Sequence, residues 1–278
     1  MLPLIYSTLG CPNWSLEQAA DAAVASGYVG LEVRVLDGDI IPAELPAERR
    51  SAMRRIMAER GLTIAALGAS TRFSAADPAK RAENEAELIR YLELAIDLES
   101  PMVRTFGGNV EAGQTLAQTI DWVAESLGRV APVAERLGVT VLLETHDAFC
   151  RAAEVAPVLR QVNSPAVQAV WDIHHPFRMG ESVAQTWALL KPYTRHVHIK
   201  DARLRPDGSW QLVLLGEGEV PAREIVRLLV AEGYQGYLSA EWEKKWHPEI
   251  EEPEIALPQH AEVLRKWLTE GSMAAQAT

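Results

Sequence analysis

The sequence predicts an α/β fold, a single (β/α)8 barrel, and three observations carry that reading. Eight strand-like segments alternate with eight helix-like ones along 278 residues, which is the count and length of this architecture. Four of the apolar runs end in acidic or imidazole side chains, which is where parallel α/β enzymes place their chemistry. No Pro/Gly/Ser-rich linker divides the chain. A doubly wound sheet would need fewer strands and a crossover point, and it would not gather the ends of four successive strands around one opening.

Strands are expected near Leu4–Thr8, Val29–Val35, Thr63–Leu67, Met102–Phe106, Val139–Thr145, Val167–Asp172, His196–Lys200 and Tyr237–Trp242. They are short apolar runs, as strands covered on both faces are. Helices are expected near residues 16–26, 46–60, 79–98, 115–137, 152–161, 182–190, 222–232 and 254–269. The first shows the signals well. Ser15 and Gln18 form a capping-box pattern, and Leu16, Ala19, Ala20, Ala23 and Val24 fall on one face. Gly27 then stops it, and Gly61, Gly138 and Gly233 repeat the stop before later strands. The barrel is expected over residues 1–270, with 271–278 (GSMAAQAT) as a flexible C-terminal tail.

With 48% hydrophobic residues the chain can bury a substantial core. A formal charge of −11 disfavours nucleic-acid phosphates and anionic membranes as partners. No apolar run is long enough to span a membrane. Two cysteines, Cys11 and Cys150, and no signal-like start make a reduced cytoplasmic protein the expectation. A homo-oligomer is compatible with all of this.

The chemistry-bearing segments are VTVLLETH from Val139, VQAVWDIHH from Val167, TRHVHIKDA from Thr194 and GYLSAEWEK from Gly236. They offer Glu144, Asp172, His198 and Glu241. Three carboxylates and an imidazole converging on one point would repel one another strongly, and a divalent cation is the usual reason to assemble them. The alternative for Glu144 and Asp172 is a strand-end carboxylate paired with an arginine, since burial without a partner is costly.

Strand alternation points His146 the same way as Glu144, so it contacts substrate or orients a ligand. Alternation also puts His174, rather than His175, on the Asp172 side. His196, His198 and Lys200 share one face, with His196 one layer deeper and structural. Lys200, higher up, contacts a substrate hydroxyl or carboxylate, or pairs with Asp201. Trp242 and Trp246 either wall the pocket or pack between helices. Glu32, Arg34 and Arg104 are further charges at strand ends, and Arg104 either binds a substrate anion or holds a carboxylate ligand in place. After the seventh strand, ARLRPDGSWQLVLLGEGEVP carries a Pro-Asp-Gly turn that suggests a small hairpin over the opening. Arg203 and Arg205 there can reach substrate. Gly216 and Gly218 suggest a phosphate cradle only weakly, because LGEGEV has no lysine and two glutamates.

With these segments in place, the chain resembles the xylose isomerase-like TIM-barrel superfamily, in particular its sugar phosphate isomerase/epimerase group of ketose epimerases, hydroxypyruvate isomerase and inosose dehydratase. The likeness runs from CPNWSLEQAADAAVASGYVGLEVR after the first strand to Glu241. It implies a single-metal site formed by Glu144, Asp172, His198 and Glu241, and it selects His175 as the substrate histidine. It further implies proton transfer alpha to a carbonyl through an enediolate, with Glu144 and Glu241 as the acid/base pair on a small polyhydroxy carbonyl substrate. Manganese or magnesium suits the ligand set, and cobalt or zinc can substitute. Isomerase or epimerase activity is the expectation. A dehydratase of an inosose or dehydroshikimate-like ketone is the alternative, through expulsion of a β-hydroxyl that Lys200 or His175 protonates. A non-catalytic sugar-binding protein is a further reading. An apurinic-site endonuclease shares the barrel but needs histidines on strands three and four, where this chain has LGAS and TFGG.

Overall fold

Strands of four to six residues, buried along nearly their whole length, build the centre of the protein. In the computed structural model, which describes residues 2–276, they are β1 (Leu4–Ser7), β2 (Gly30–Val33), β3 (Thr63–Gly68), β4 (Met102–Thr105), β5 (Thr140–Glu144), β6 (Val167–Asp172), β7 (Thr194–Ile199) and β8 (Tyr237–Ala240). Each pairs in parallel with its sequence neighbour, and β8 closes on β1 with Ile5 opposite Ser239. The α/β fold is therefore a single (β/α)8 barrel.

The helices are α1 (Leu16–Ser26), α2 (Ala47–Glu59), α3 (Pro78–Asp97), α4 (Leu116–Leu137), α5 (Ala152–Val162), α6 (His174–Arg178), α7 (Val183–Leu190), α8 (Ala222–Ala231) and α9 (Pro253–Gln276). Helix α1 forms where its capping signals fall. The Ser15 hydroxyl accepts from the Gln18 amide, the Gln18 side chain accepts from the Ser15 amide, and Gly27 ends the helix at φ 72°. Ala19, Ala20 and Ala23 let the helix lie close on the barrel.

The structure departs from the sequence reading in three places. A hairpin of Val35–Leu36 with Asp39–Ile40 follows β2. The short α6 follows β6 directly. Residues 271–276, expected as a loose tail, continue α9, where Ala274, Ala275 and Gln276 are good helix formers and Gly271 abuts Val230 of α8. Residues 277 and 278 lie outside the described residues. The hairpin expected after the seventh strand forms from Asp201–Leu204 and Trp210–Val213. Among the described residues no helix is long and apolar enough to cross a membrane.

Alternation along the strands divides the core in two. Outward residues such as Val141, Leu143, Ala169, Trp171, Val197 and Ile199 join the main cluster beneath the helices. Inward residues Ala66, Met102, Leu142 and Val170 form a separate apolar plug, with Tyr237 against it. Two residues further along the same five strands the interior turns polar, at Arg104, Glu144, Asp172 and Ser239, with Gly68 leaving space for Arg104. The plug is the floor on which the candidate site stands.

Candidate metal centre

The site is the polar layer at the C-terminal ends of β5 to β8. Glu144 ends β5, Asp172 ends β6, His198 lies near the end of β7, and Glu241 follows β8. Register places Asp172 opposite His198 and His198 opposite Ser239. All four candidates are buried, and one ligand atom from each lies within 4.8 Å of the others.

His198 is the hub. Its Nδ1 is 3.2 Å from Glu144 Oε1 and 3.2 Å from Glu241 Oε1. Its Nε2 is 2.9 Å from Glu32 Oε2. That carboxylate oxygen is also 2.9 Å from His196 Nε2, and it accepts from the Ser239 hydroxyl at 3.2 Å. Glu32 thus stands behind the imidazole, on the side away from Glu144 and Glu241. A carboxylate that accepts the distal N–H fixes the tautomer leaving the other nitrogen free to ligate. Glu32, His196 and His198 also group as a possible ligand set, but there one carboxylate oxygen already serves three donors. The three-carboxylate set fits a divalent ion better. Its Glu144 Oε2 and Asp172 Oδ2 are buried without an aligned hydrogen-bond donor, and hard oxygen ligands with one imidazole suit such an ion.

Electrostatics favour ionised carboxylates, as ligation needs, and a protonated imidazole whose proton a bound ion would displace. Burial opposes ionisation of Glu144, but Arg104 and His198 outweigh it and keep the carboxyl below its usual range. Burial likewise opposes ionisation of Glu241, and His198 and Lys200 hold it well below that range. Asp172 is the exception. Its burial dominates over the Lys200 attraction and pushes it up to about 7. His198 resists protonation through burial, yet Glu241, Glu32 and Glu144 draw it well above the usual value.

Arg104 Nε lies 3.1 Å from Glu144 Oε2, one guanidinium nitrogen donates to the Ala69 carbonyl at 2.8 Å, and the group sits 4.1 Å from the Phe106 ring centroid. This is the ion-pair use of Arg104. Gly68 makes room for it, since a Cβ there would stand 3.1 Å from Arg104 Nη2 and 2.7 Å from Arg34 Cδ. Lys200 is 1% exposed, and its Nζ lies 2.7 Å from Asp172 Oδ2, 2.7 Å from Glu241 Oε2 and 2.6 Å from Glu243 Oε1. Its partners are these carboxylates rather than Asp201.

His175 Nε2 is 3.5 Å from Asp172 Oδ2, while its Nδ1 accepts from Arg178 Nε at 2.9 Å. Arginine only donates, so the neutral ring carries its proton on Nε2, toward the site. Burial, then Lys200, keeps that ring neutral by holding its pKa well below the usual value. His174 instead packs edge-on against Trp210, 5.2 Å between centroids. Alternation fails at this point because β6 ends at Asp172 and α6 begins at His174. His146 lies between Phe106, against which it is tilted, and His175, which it meets edge-on, with 4.6 Å between ring centroids in each pair, and its Nδ1 lies 2.9 Å from Asp147 Oδ1.

Arg203 is not brought into this cluster. It lies on the exposed side of the hairpin, where Ala202 takes the buried side, and it donates to the Glu217 carbonyl at 2.6 Å. The Gly216–Gly218 turn is filled by an internal anion. The Asp201 carboxylate accepts from the backbone amides of Ala202, Gly216, Gly218 and Val220 at 2.9–3.1 Å, so those amides are not offered to a phosphate. Trp242 is fully buried and donates to the Glu251 carbonyl, whereas Trp246 is exposed.

His196→Ala is expected to cost about 1–3 kcal/mol of stability and to leave metal binding nearly unchanged, because Glu32 keeps His198 and Ser239. Thermal melts with a parallel Mn2+ titration check this. An unchanged melting temperature with lost metal would reverse the two histidines' roles.

Comparison with known proteins follows the same lines. The chain matches the xylose isomerase-like TIM-barrel family over residues 20–267. It is 29% identical over 193 residues to a fructoselysine 3-epimerase of Shigella flexneri, covering 66% of this chain and 68% of the relative. Among solved structures, an L-ribulose 3-epimerase superposes with a TM-score of 0.81 at 20% identity, over 100% of this chain and 98% of its own. A probable 3-DHS dehydratase from Bacillus anthracis superposes with a TM-score of 0.75 at 18% identity, over 95% and 99%. At these identities the superpositions speak for the fold alone. The closed barrel and the family match over residues 20–267 lead to one assignment: the chain belongs to the xylose isomerase-like TIM-barrel family.

Proposed function

We propose that the protein is a divalent-metal-dependent epimerase or isomerase of a small ketose or related polyhydroxy carbonyl compound. The observation that carries this reading is the placement of Glu144 and Glu241, from strands separated by β6 and β7, each 3.2 Å from His198 Nδ1. Two carboxylates on different sides of one ligand point suit removal of a proton from one face and its return to another.

Glu144, Asp172, His198 and Glu241 would hold the ion, with manganese or magnesium favoured by three carboxylates and one imidazole. When bound, the ion supplies Lewis-acid polarisation of a carbonyl and its neighbouring hydroxyl. One glutamate takes the proton alpha to the carbonyl and the other delivers a proton. Delivery to the opposite face of the same carbon inverts it, and delivery to the neighbouring carbon isomerises. The relatives' names place their reaction at carbon 3, which in a 2-ketose is the carbon alpha to the carbonyl, so inversion there is the favoured outcome. His175, neutral with Nε2–H facing the site, and His146 beside it donate to substrate oxygens.

One observation supports a dehydratase as second reading. Lys200 is a buried ammonium beside Asp172 and Glu241, placed to protonate a departing hydroxyl.

The test is turnover in deuterated water with Mn2+ and a panel of ketoses, inososes and keto acids, alongside elemental analysis. An epimerised or isomerised product carrying solvent deuterium at the reacting carbon is expected, with about one ion per chain. A dehydrated product would assign the lyase. Turnover with complete retention of the substrate hydrogen would point to a hydride shift and remove the base role from both glutamates. Binding without turnover of any member would leave a sugar-binding protein.

A further inference from the structure

Among the described residues, Lys200 is the lysine whose ammonium touches two of the candidate ligands. Its ammonium lies 2.7 Å from Asp172 Oδ2 and 2.7 Å from Glu241 Oε2. A divalent ion held by the same two carboxylates would meet this charge at short range, where repulsion between like charges is strong in a buried site. A third carboxylate, Glu243, also reaches the ammonium, at 2.6 Å, and belongs to neither candidate ligand group. Glu243 is half-buried, and it lines a cavity of about 310 Å³ shared with His175, Trp210 and His247. The ammonium therefore has an anchor on the open side of the centre, away from the ligand point.

We propose that Glu243 sets the affinity of the metal centre by giving the Lys200 ammonium a third carboxylate, outside the ligand set, onto which it withdraws when an ion takes Asp172 and Glu241. Lys200 competes with the ion for these two carboxylates, and Glu243 relieves the competition. Glu243 is thus a positioning residue that acts through Lys200. The inference rests on the metal-centre reading above, and it concerns affinity rather than turnover, so it holds for any substrate.

The test is Mn2+ titration of chelator-stripped full-length protein by calorimetry, read as Kd, for wild type, Lys200→Met, Glu243→Gln and the double variant. Lys200→Met is expected to tighten Mn2+ about tenfold or more by removing the competing charge. Glu243→Gln is expected to weaken it about tenfold or more by leaving the ammonium on the ligands. In the Lys200→Met background the Glu243→Gln effect is expected to shrink to about twofold or less, because the two residues act as one unit. Lys200→Gln is carried in parallel with the same expectation. It offers an amide to the buried carboxylates, should Lys200→Met fail to fold. Weaker Mn2+ binding on loss of the lysine charge, or an equal Glu243→Gln effect in both backgrounds, overturns the proposal and leaves the metal centre standing. Absence of Mn2+ binding in the wild type overturns the metal-centre reading itself, and this inference with it.

Discussion

Glu144→Gln and Glu241→Gln are each expected to lower kcat/KM by at least about 10²-fold, within the 10²–10⁴-fold range of general acid–base catalysis. Glutamine keeps the shape of the side chain and an oxygen for ligation, but it cannot accept the proton. Both carboxylates are buried, and both are held ionised by neighbours. Arg104 and His198 do so for Glu144, and His198 and Lys200 for Glu241. Weakened metal binding would mimic the loss, so each variant is assayed at saturating Mn2+ with its metal content measured. The sharper readout is isotope exchange. If the two glutamates serve opposite faces, each variant keeps solvent exchange at the alpha carbon of one epimer while forming little of the other. Loss of a ligand alone would abolish exchange in both. Variants with full metal content and rates within about tenfold of wild type would take the acid/base role from these residues.

The barrel was legible in the sequence because its strands are short and apolar and several of its helices end at glycine. The order of depths within a strand was legible too, since period-two alternation alone stacks His196, His198 and Lys200. What alternation cannot show is which strands face each other across the interior. Glu32 reads locally as one more charge at a strand end. Only closure of the barrel brings β2 to face β7 and β8, where Glu32 receives His196, His198 and Ser239. The same limit leaves Arg104 with two roles in the sequence, whereas the folded chain sets its Nε 3.1 Å from Glu144 Oε2. Side chains beyond strand ends were least legible. His174 and His175 exchange places relative to simple alternation because a helical turn starts at His174. The composition of its loop points Arg203 toward substrate, whereas the hairpin's own alternation turns it outward. The signal that could have identified Glu32 was its inward phase on β2, two residues before Arg34.

That buried carboxylate gives the second large expected effect. Glu32→Gln is expected to weaken Mn2+ binding about 10–100-fold, the usual consequence of losing the partner behind a ligating histidine, or about 1.4–2.7 kcal/mol. Glu32 Oε2 lies 2.9 Å from both His196 Nε2 and His198 Nε2. As an anion it accepts from both rings at once, which leaves His198 Nδ1 unprotonated and aimed between Glu144 and Glu241 when an ion is bound. The glutamine amide can set its carbonyl oxygen where Oε2 stands and its N–H₂ where the unpartnered Oε1 stands, but that neutral oxygen is a weaker acceptor for charge-assisted donors than a carboxylate. The negative charge that raises the basicity of the imidazole is lost as well. His196→Ala is the control, because it removes one donor to Glu32 without touching the His198 contact. A drop in Mn2+ affinity for Glu32→Gln but not for His196→Ala, with both proteins folded, identifies Glu32 as the residue that orients the ligand. Equal affinity in both variants and the wild type would mean that Glu32 only neutralises buried histidines, and that His198 holds its orientation by packing alone.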